Sequence, residues 1–315
     1  MAPPPDHQAS KTTVCVMDAS GHLGSTLVHR LVHRGYTVHA ALHNPPPGKM
    51  EYLEGQYRNK KVKVFQADPF DYHSIIQALK GCSGLFYSFE PPSEDSFYDE
   101  LMTEVEARAA HNVLEACAHT DTIHKVVFTS SVTAVIWSHH FNTKSLDVDD
   151  VDERNWSDIN FCKRFKLWHG LSKTVAEKTA WALAMDRSIN MVSINGGLMM
   201  SPDLNITNPY LKGAAEMYED GLFVTVDLNY LVDAHICVFE DVSSYGRYLC
   251  FNQIINCNHH AVKLAHSLLP PSDKNSTDIS MEDTKVKQQR ISNKKLNKLM
   301  VNFDVDFHQL DCSEE

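Results

Sequence analysis

No run of about 18 apolar residues, the length a membrane-spanning helix needs, occurs anywhere in this 315-residue sequence. The amino terminus, MAPPPDHQASK, carries no apolar stretch behind basic residues, so no secretory leader and a cytoplasmic location are expected. The N-x-S/T triplets at Asn155, Asn205 and Asn275 are then expected to stay unmodified. Paired cysteine spacing is also missing: Cys15, Cys82, Cys117, Cys162, Cys237, Cys250, Cys257 and Cys312 are scattered and read as buried thiols, not disulfides. Basic residues number 29 against 40 acidic ones, and the net charge of −11 argues against a nucleic-acid partner. It suits a protein that handles small molecules. Histidine is abundant, yet His139–His140 and the Cys257–His260 stretch lack a second ligand cluster at metal-binding spacing, so no metal is expected. Repeats and low-complexity tails are absent, and the oligomeric state has no readable signal.

What the sequence does contain is alternation. Short β-branched runs, TTVCVM (12–17), TVHAAL (37–42), VKVFQ (62–66), GLFYSF (84–89), HKVVFTSS (124–131) and NMVSIN (190–195), read as strands. Between them lie helical patterns: 23–33 closed by Gly35, a helix ending at Gly81, MTEVEARAAHNVLEACAH, and one long helix from Arg164 to Asp186. Strands alternating with helices predict an α/β fold, a doubly wound parallel sheet of the Rossmann type. Residues 1–11 are expected to be a flexible tail, 12–202 a dinucleotide-binding domain and 203–315 a smaller substrate lobe. That lobe holds shorter helices and the strand GRYLCF (246–251), and some of its strands and helices should return to the first domain. The polar stretch PPSDKNSTDISMEDTKVKQQR reads as an exposed loop.

The first strand runs into D-A-S-G-H-L-G and then a helix, the context that a dinucleotide-binding turn requires. Gly21 would admit phosphates close to the backbone, Gly24 would let the helix pack on the sheet, and the helix amino terminus would offer free N–H groups. A tight strand–helix turn without a ligand is the simpler alternative. Asp18 stands where such a turn has its first glycine. It lacks glycine's freedom at positive φ, and its carboxylate is expected to fold onto loop N–H groups, weakening ligand binding without abolishing it.

The segments VCVMDASGHLGS, RGYTVHAALHNP, QADPFDY, NVLEACA, KVVFTSSVTAV, NWSDINFCKRFKLWHGLSKTVAEKTAWALA and GRYLC resemble the extended short-chain dehydrogenases/reductases. The similarity is to the plant cinnamoyl-CoA reductase and dihydroflavonol reductase group, some of whose members are linked to defence. The resemblance implies a nicotinamide cofactor, NADP ahead of NAD, and a carbonyl/hydroxyl or thioester/aldehyde substrate. It places the serine that orients the carbonyl at Ser131, with Ser130 or Thr133 as fallbacks. The family's Tyr-x-x-x-Lys pair falls on His169 and Lys173: the lysine matches and the tyrosine does not. The arginine that reads the 2′-phosphate falls on His43, and the aspartate near the adenine on Asp68, which could instead cap the following helix. The implied cofactor contacts are Asp18, Gly21, His22, Leu23, Gly24, His43, Asp68, Ser88, Lys173, Asn195 and Gly196. Trp168 and Trp181 read as core.

Carbonyl reduction needs a proton on the developing alkoxide. A phenol with a free pKa near 10, lowered by a lysine, supplies it in the family. An imidazole beside the same lysine is pushed below about 6.5 and is mostly neutral near neutral pH, and its reach is roughly 2 Å shorter. Low or lost reductase activity is therefore expected. A protein that binds NAD(P) without turnover, as a sensor or partner-binding protein, is the alternative.

Overall fold

The computed structural model describes residues 12–45, 48–57, 61–89, 91, 98–138, 150–269 and 286–311. The expected flexible tail 1–11, His139–His140, Asn275, Cys312 and most of the polar stretch after Leu269 lie outside the described residues. The order is β1 (Thr13–Met17), α1 (His22–His33), β2 (Thr37–Leu42), α2 (Lys49–Gln56), β3 (Val62–Gln66), α3 (Tyr72–Leu79) and β4 (Gly84–Tyr87). It continues with α4 (Glu100–Ala118), β5 (Lys125–Ser131), α5 (Ile159–Arg164), α6 (Trp168–Asp186), β6 (Met191–Gly196), β7 (Leu198–Met200) and α7 (Ala214–Glu219). It ends with β8 (Val224–Asp227), α8 (Leu228–Glu240), β9 (Gly246–Cys250), β10 (Gln253–Ile254), α9 (Asn258–Leu268) and α10 (Lys294–Asp311).

Seven strands form one parallel sheet in the order β3-β2-β1-β4-β5-β6-β9. Successive side chains of a strand point to opposite faces, so both faces of β1 are apolar and both are covered. Val14 and Val16 pack with Leu27 and Leu31 of α1, Val232 and Ile236 of α8 and Leu296 of α10. Cys15 and Met17 pack on the other face with Ile75 of α3, Ala109 and Val113 of α4, and Ala176 and Ala180 of α6. This is the doubly wound arrangement expected from the alternation of runs. The chain reverses its direction of winding between β1 and β4, and ligands of such sheets bind at that reversal, beyond the carboxyl ends of the strands.

β9, from the last third of the chain, is the edge strand beside β6. A small sheet, β10-β8-β7, and the helices α7 and α9 build a separate apolar cluster around Trp137, Leu171, Phe223 and Leu264. The long helix expected from Arg164 to Asp186 is α6, which starts four residues later at Trp168, after a shorter helix α5 that ends at Arg164. Lys166 adopts φ 53°, and the N–H groups of Lys166 and Leu167 return to Lys163 and Cys162, closing α5 with a left-handed cap.

Of the seven described cysteines, all free, Cys15, Cys82, Cys117, Cys162, Cys237 and Cys250 are buried as expected, while Cys257, at the start of α9, is only partly buried. His235 is fully buried in α8, its Nδ1 2.7 Å from the Leu231 carbonyl and its Nε2 2.8 Å from Thr129 Oγ1. Burial pushes its pKa down to about 4. Above about pH 6.5 the ring is neutral in both states; as the pH falls toward 4 the unfolded chain takes a proton that the folded chain refuses. Stability is therefore expected to fall over that window, by roughly 3 kcal/mol from this residue. Urea midpoints at about pH 7.5 and about pH 4.5 measure it, and His235→Gln should flatten the difference; an equal drop in both proteins would exclude this cause.

Candidate active site

α1 starts directly from the turn after β1. Gly21 is its N-cap residue and offers no side-chain cap, and the first turn holds no acidic residue, so its amino-terminal N–H groups face outward uncapped by any side chain. Gly24 is required by contact: a Cβ there would lie 1.8 Å from the Asp18 carbonyl oxygen. Asp18 is only 6% exposed, with Oδ1 accepting from the Ser20 N–H at 2.9 Å and Oδ2 from the Ser20 hydroxyl at 2.6 Å. A weaker contact runs from the His43 N–H to Oδ1 at 3.4 Å. The carboxylate is thus folded into its own loop, as expected. The expected demand for positive φ is not met, because Asp18 is not among the residues with positive φ. His22 turns its ring to Asp203, Nε2 to Oδ1 2.8 Å, joining the turn to the segment after β7.

At the end of β2 the His43 ring lies 3.6 Å from an Asp68 carboxylate oxygen. Asp68 accepts from the Phe70 N–H at 2.8 Å, while the cap of α3 is Asp71. The capping alternative for Asp68 therefore falls away.

Ser131 ends β5 and caps the 3-10 turn Val132–Ala134. Its Oγ accepts from the Thr133 N–H at 3.2 Å and the Thr133 hydroxyl at 3.0 Å. Thr133 Oγ1 in turn stands 3.0 Å from Nδ1 of His169, in the first turn of α6. Tyr98 meets the half-buried His169 ring edge-on, with centroids 4.9 Å apart. Burial, and then the Lys173 charge one helical turn away, hold the imidazole well below its usual pKa, so the ring is neutral. Lys173 donates to Glu106 of α4 at 2.7 Å, a carboxylate only 3% exposed that also accepts from the Ser172 hydroxyl.

Leu23, Ser88, Ser131, His169, Lys173 and Gly196 line a cavity of about 290 Å³. Its walls come from the turn after β1 and the ends of β4, β5 and β6, the place where an open parallel sheet holds a ligand. His169, Tyr98, Asn208 and Pro209 also line a larger, mainly apolar cavity of about 770 Å³, with Trp168, Phe223 and Leu264. Trp168 and Trp181 each pack, partly buried, against a core cluster, and Trp168 is also a wall of this cavity. Asn195, expected at the cofactor, is fully buried instead, its amide donating to Glu177 at 2.7 Å and to the Ser131 carbonyl at 3.2 Å. It sets the position of Ser131 from behind.

Over 307 residues the chain is 33% identical to cinnamoyl-CoA reductase 1 of Petunia hybrida, covering 93% of this chain and 88% of that protein. The chain belongs to the cinnamoyl-CoA reductase family. Dihydroflavonol 4-reductase of Callistephus chinensis is 32% identical over 78% of the chain and 70% of its own length. Residues 10–146 match the NmrA-like family. Vestitone reductase from alfalfa superposes with a TM-score of 0.65 at 25% identity, over 92% of each chain. Yeast methylglyoxal/isovaleraldehyde reductase Gre2, complexed with NADPH, repeats the fold with a TM-score of 0.69 at 18% identity, over 92% of this chain and 93% of that one. This member of the cinnamoyl-CoA reductase family has His169 at the fourth position before Lys173.

Sequence reasoning passed over Glu106 and Glu177. The signal for Glu106 was present: it stands in register with Met102, Ala109, Ala110 and Val113, the buried face of α4. An acidic residue on such a face is a paired one. Glu106→Gln removes the charge that offsets Lys173 beside the cavity. NADPH, a polyanion, is then expected to bind several-fold more tightly, by fluorescence titration at low salt, with the gain shrinking as salt is added. An unchanged or weaker affinity would count against the pairing as a brake on binding.

Proposed function

We propose that the chain is an NADPH-dependent reductase of carbonyl compounds, of the aldehyde or thioester type, with His169 in the place of the usual phenol. The observation that carries this reading is that Ser131, His169 and Lys173 line one cavity with Leu23 of the nucleotide-binding turn. When bound there, a reduced nicotinamide supplies hydride to the substrate carbonyl carbon. The uncapped amino terminus of α1 with Gly21 would hold the phosphates, and Ser88 and Gly196 the nicotinamide half. Lys173, which donates to Glu106 at the cavity wall, would meet the ribose hydroxyls. His43 and Asp68 would face the adenosine end; NADP is preferred to NAD on the strength of the NADPH-bound fold relatives. The larger cavity would receive the apolar body of the substrate, its carbonyl directed at Ser131.

A second reading is a protein that binds NADPH without turnover. The neutral His169 favours it, since an uncharged imidazole is only a weak acid in the place of the family's phenol. Fluorescence titration with NADPH and NADH, followed by turnover over a panel of aromatic aldehydes and thioesters, separates the two. Saturable NADPH binding with turnover supports the reductase; binding alone supports the second reading. Absence of binding at millimolar nucleotide rejects both.

A further inference from the structure

We propose that Thr133 is a proton relay between His169 and Ser131, so that the histidine serves the substrate without touching it. The proposal rests on the reductase reading and adds a residue to it. Thr133 is 2% exposed, and its hydroxyl lies between the two groups, 3.0 Å from each. Ser131 Oγ accepts both the N–H and the O–H of Thr133, which leaves its own proton to point into the cavity that Ser131 lines. With the Thr133 proton directed at Ser131, a Thr133 lone pair faces His169, and Nδ1 must carry hydrogen for the 3.0 Å contact to be attractive. The ring is neutral, so Nε2 is its basic nitrogen.

The chain of bonds balances as a reduction. As hydride adds to the carbonyl carbon, the C=O electron pair moves onto oxygen, which takes the Ser131 hydroxyl proton. Ser131 is reprotonated by Thr133, and Thr133 by Nδ1 of His169. Water gives a proton to Nε2, leaving the ring neutral as its other tautomer and hydroxide in the solvent. Rotation of the hydroxyls and tautomer exchange through water reset the path. The net demand is one hydride from the nicotinamide and one proton from water. The relay also answers the shortfall in reach: an imidazole is about 2 Å shorter than a phenol, and two hydroxyls span that gap.

Protein carrying ¹⁵N-histidine tests this directly, with His169→Gln assigning the ring signals. The wild type at neutral pH is expected to show His169 protonated on Nδ1, as is Thr133→Ser, with Thr133→Val shifted toward the Nε2–H tautomer. In turnover, Thr133→Val should lose about 10²-fold in kcat with an unchanged NADPH dissociation constant, and Thr133→Ser should recover most of it. An Nε2–H ring in the wild type overturns the relay even if Thr133→Val fails to fold. Turnover untouched by Thr133→Val also overturns the relay while leaving the reductase intact. An Nδ1–H ring with no wild-type turnover defeats the reductase reading, and the relay's catalytic role with it.

Discussion

Replacing Arg247 with methionine is expected to destabilise the fold by about 3–5 kcal/mol, the usual consequence of stranding a buried charge. Arg247, on β9, donates from Nε and Nη2 to the two carboxylate oxygens of Glu177 on α6, at 2.8 and 3.2 Å. Glu177 is fully buried and also accepts from Ser130 at 2.8 Å, Ser193 at 2.6 Å and Asn195 at 2.7 Å. Those neutral donors soften the loss without supplying a countercharge. Arg247 further donates to the Glu153 and Asn155 carbonyls and lies 3.6 Å over the Trp156 ring, so it also ties the chain before α5 to the sheet. Urea midpoints measure the effect, and Glu177→Gln in the Arg247→Met background should restore part of it. A loss under about 1 kcal/mol would mean that the pair contributes little. Ser130 and Asn195 flank Ser131, so the same substitution should lower NADPH-dependent turnover in whatever protein remains folded.

Turnover is expected to rise by about 10²-fold at neutral pH when His169 is replaced by tyrosine, with NADPH affinity unchanged. Burial and Lys173 both oppose a charged imidazole, so the wild-type ring offers only a weak N–H acid, committed at 3.0 Å to Thr133. A phenol at this position reaches further and is itself the acid, and the adjoining 770 Å³ cavity gives the larger ring room. Steady-state rates with aromatic aldehydes decide it, and equal rates would show that the acid does not limit the reaction. His169→Gln provides the complementary control, since it keeps a polar side chain and removes the tautomer exchange.

Much of the fold was legible before any coordinates. Runs such as TVHAAL and HKVVFTSS became β2 and β5 with ends shifted by at most a residue. Gly35, at φ 85°, closes α1 as its position implied, with its N–H on Val32 and the Tyr36 N–H on Leu31. The start of α6 at Trp168 was not legible, because a left-handed lysine at 166 leaves no mark on an apolar repeat. Asp18 folding back on Ser20 was read correctly from local chemistry, since an Asx turn needs only its own neighbours.

Partnerships across the fold were a different matter. Sequence alone settled the doubly wound sheet and the family, because each is written in contiguous residues with a fixed period or spacing. Only the tertiary structure decided that Glu106 holds Lys173, that Glu177 and Arg247 share a buried charge, and that Asn195 stands behind Ser131. It likewise set Thr133 between Ser131 and His169. The physical reason is distance along the chain: Arg247 reaches Glu177 from 70 residues away and Lys173 reaches Glu106 from 67. Charges are screened within about 10 Å in solution, so such pairs exist only once packing has brought them together and excluded the water.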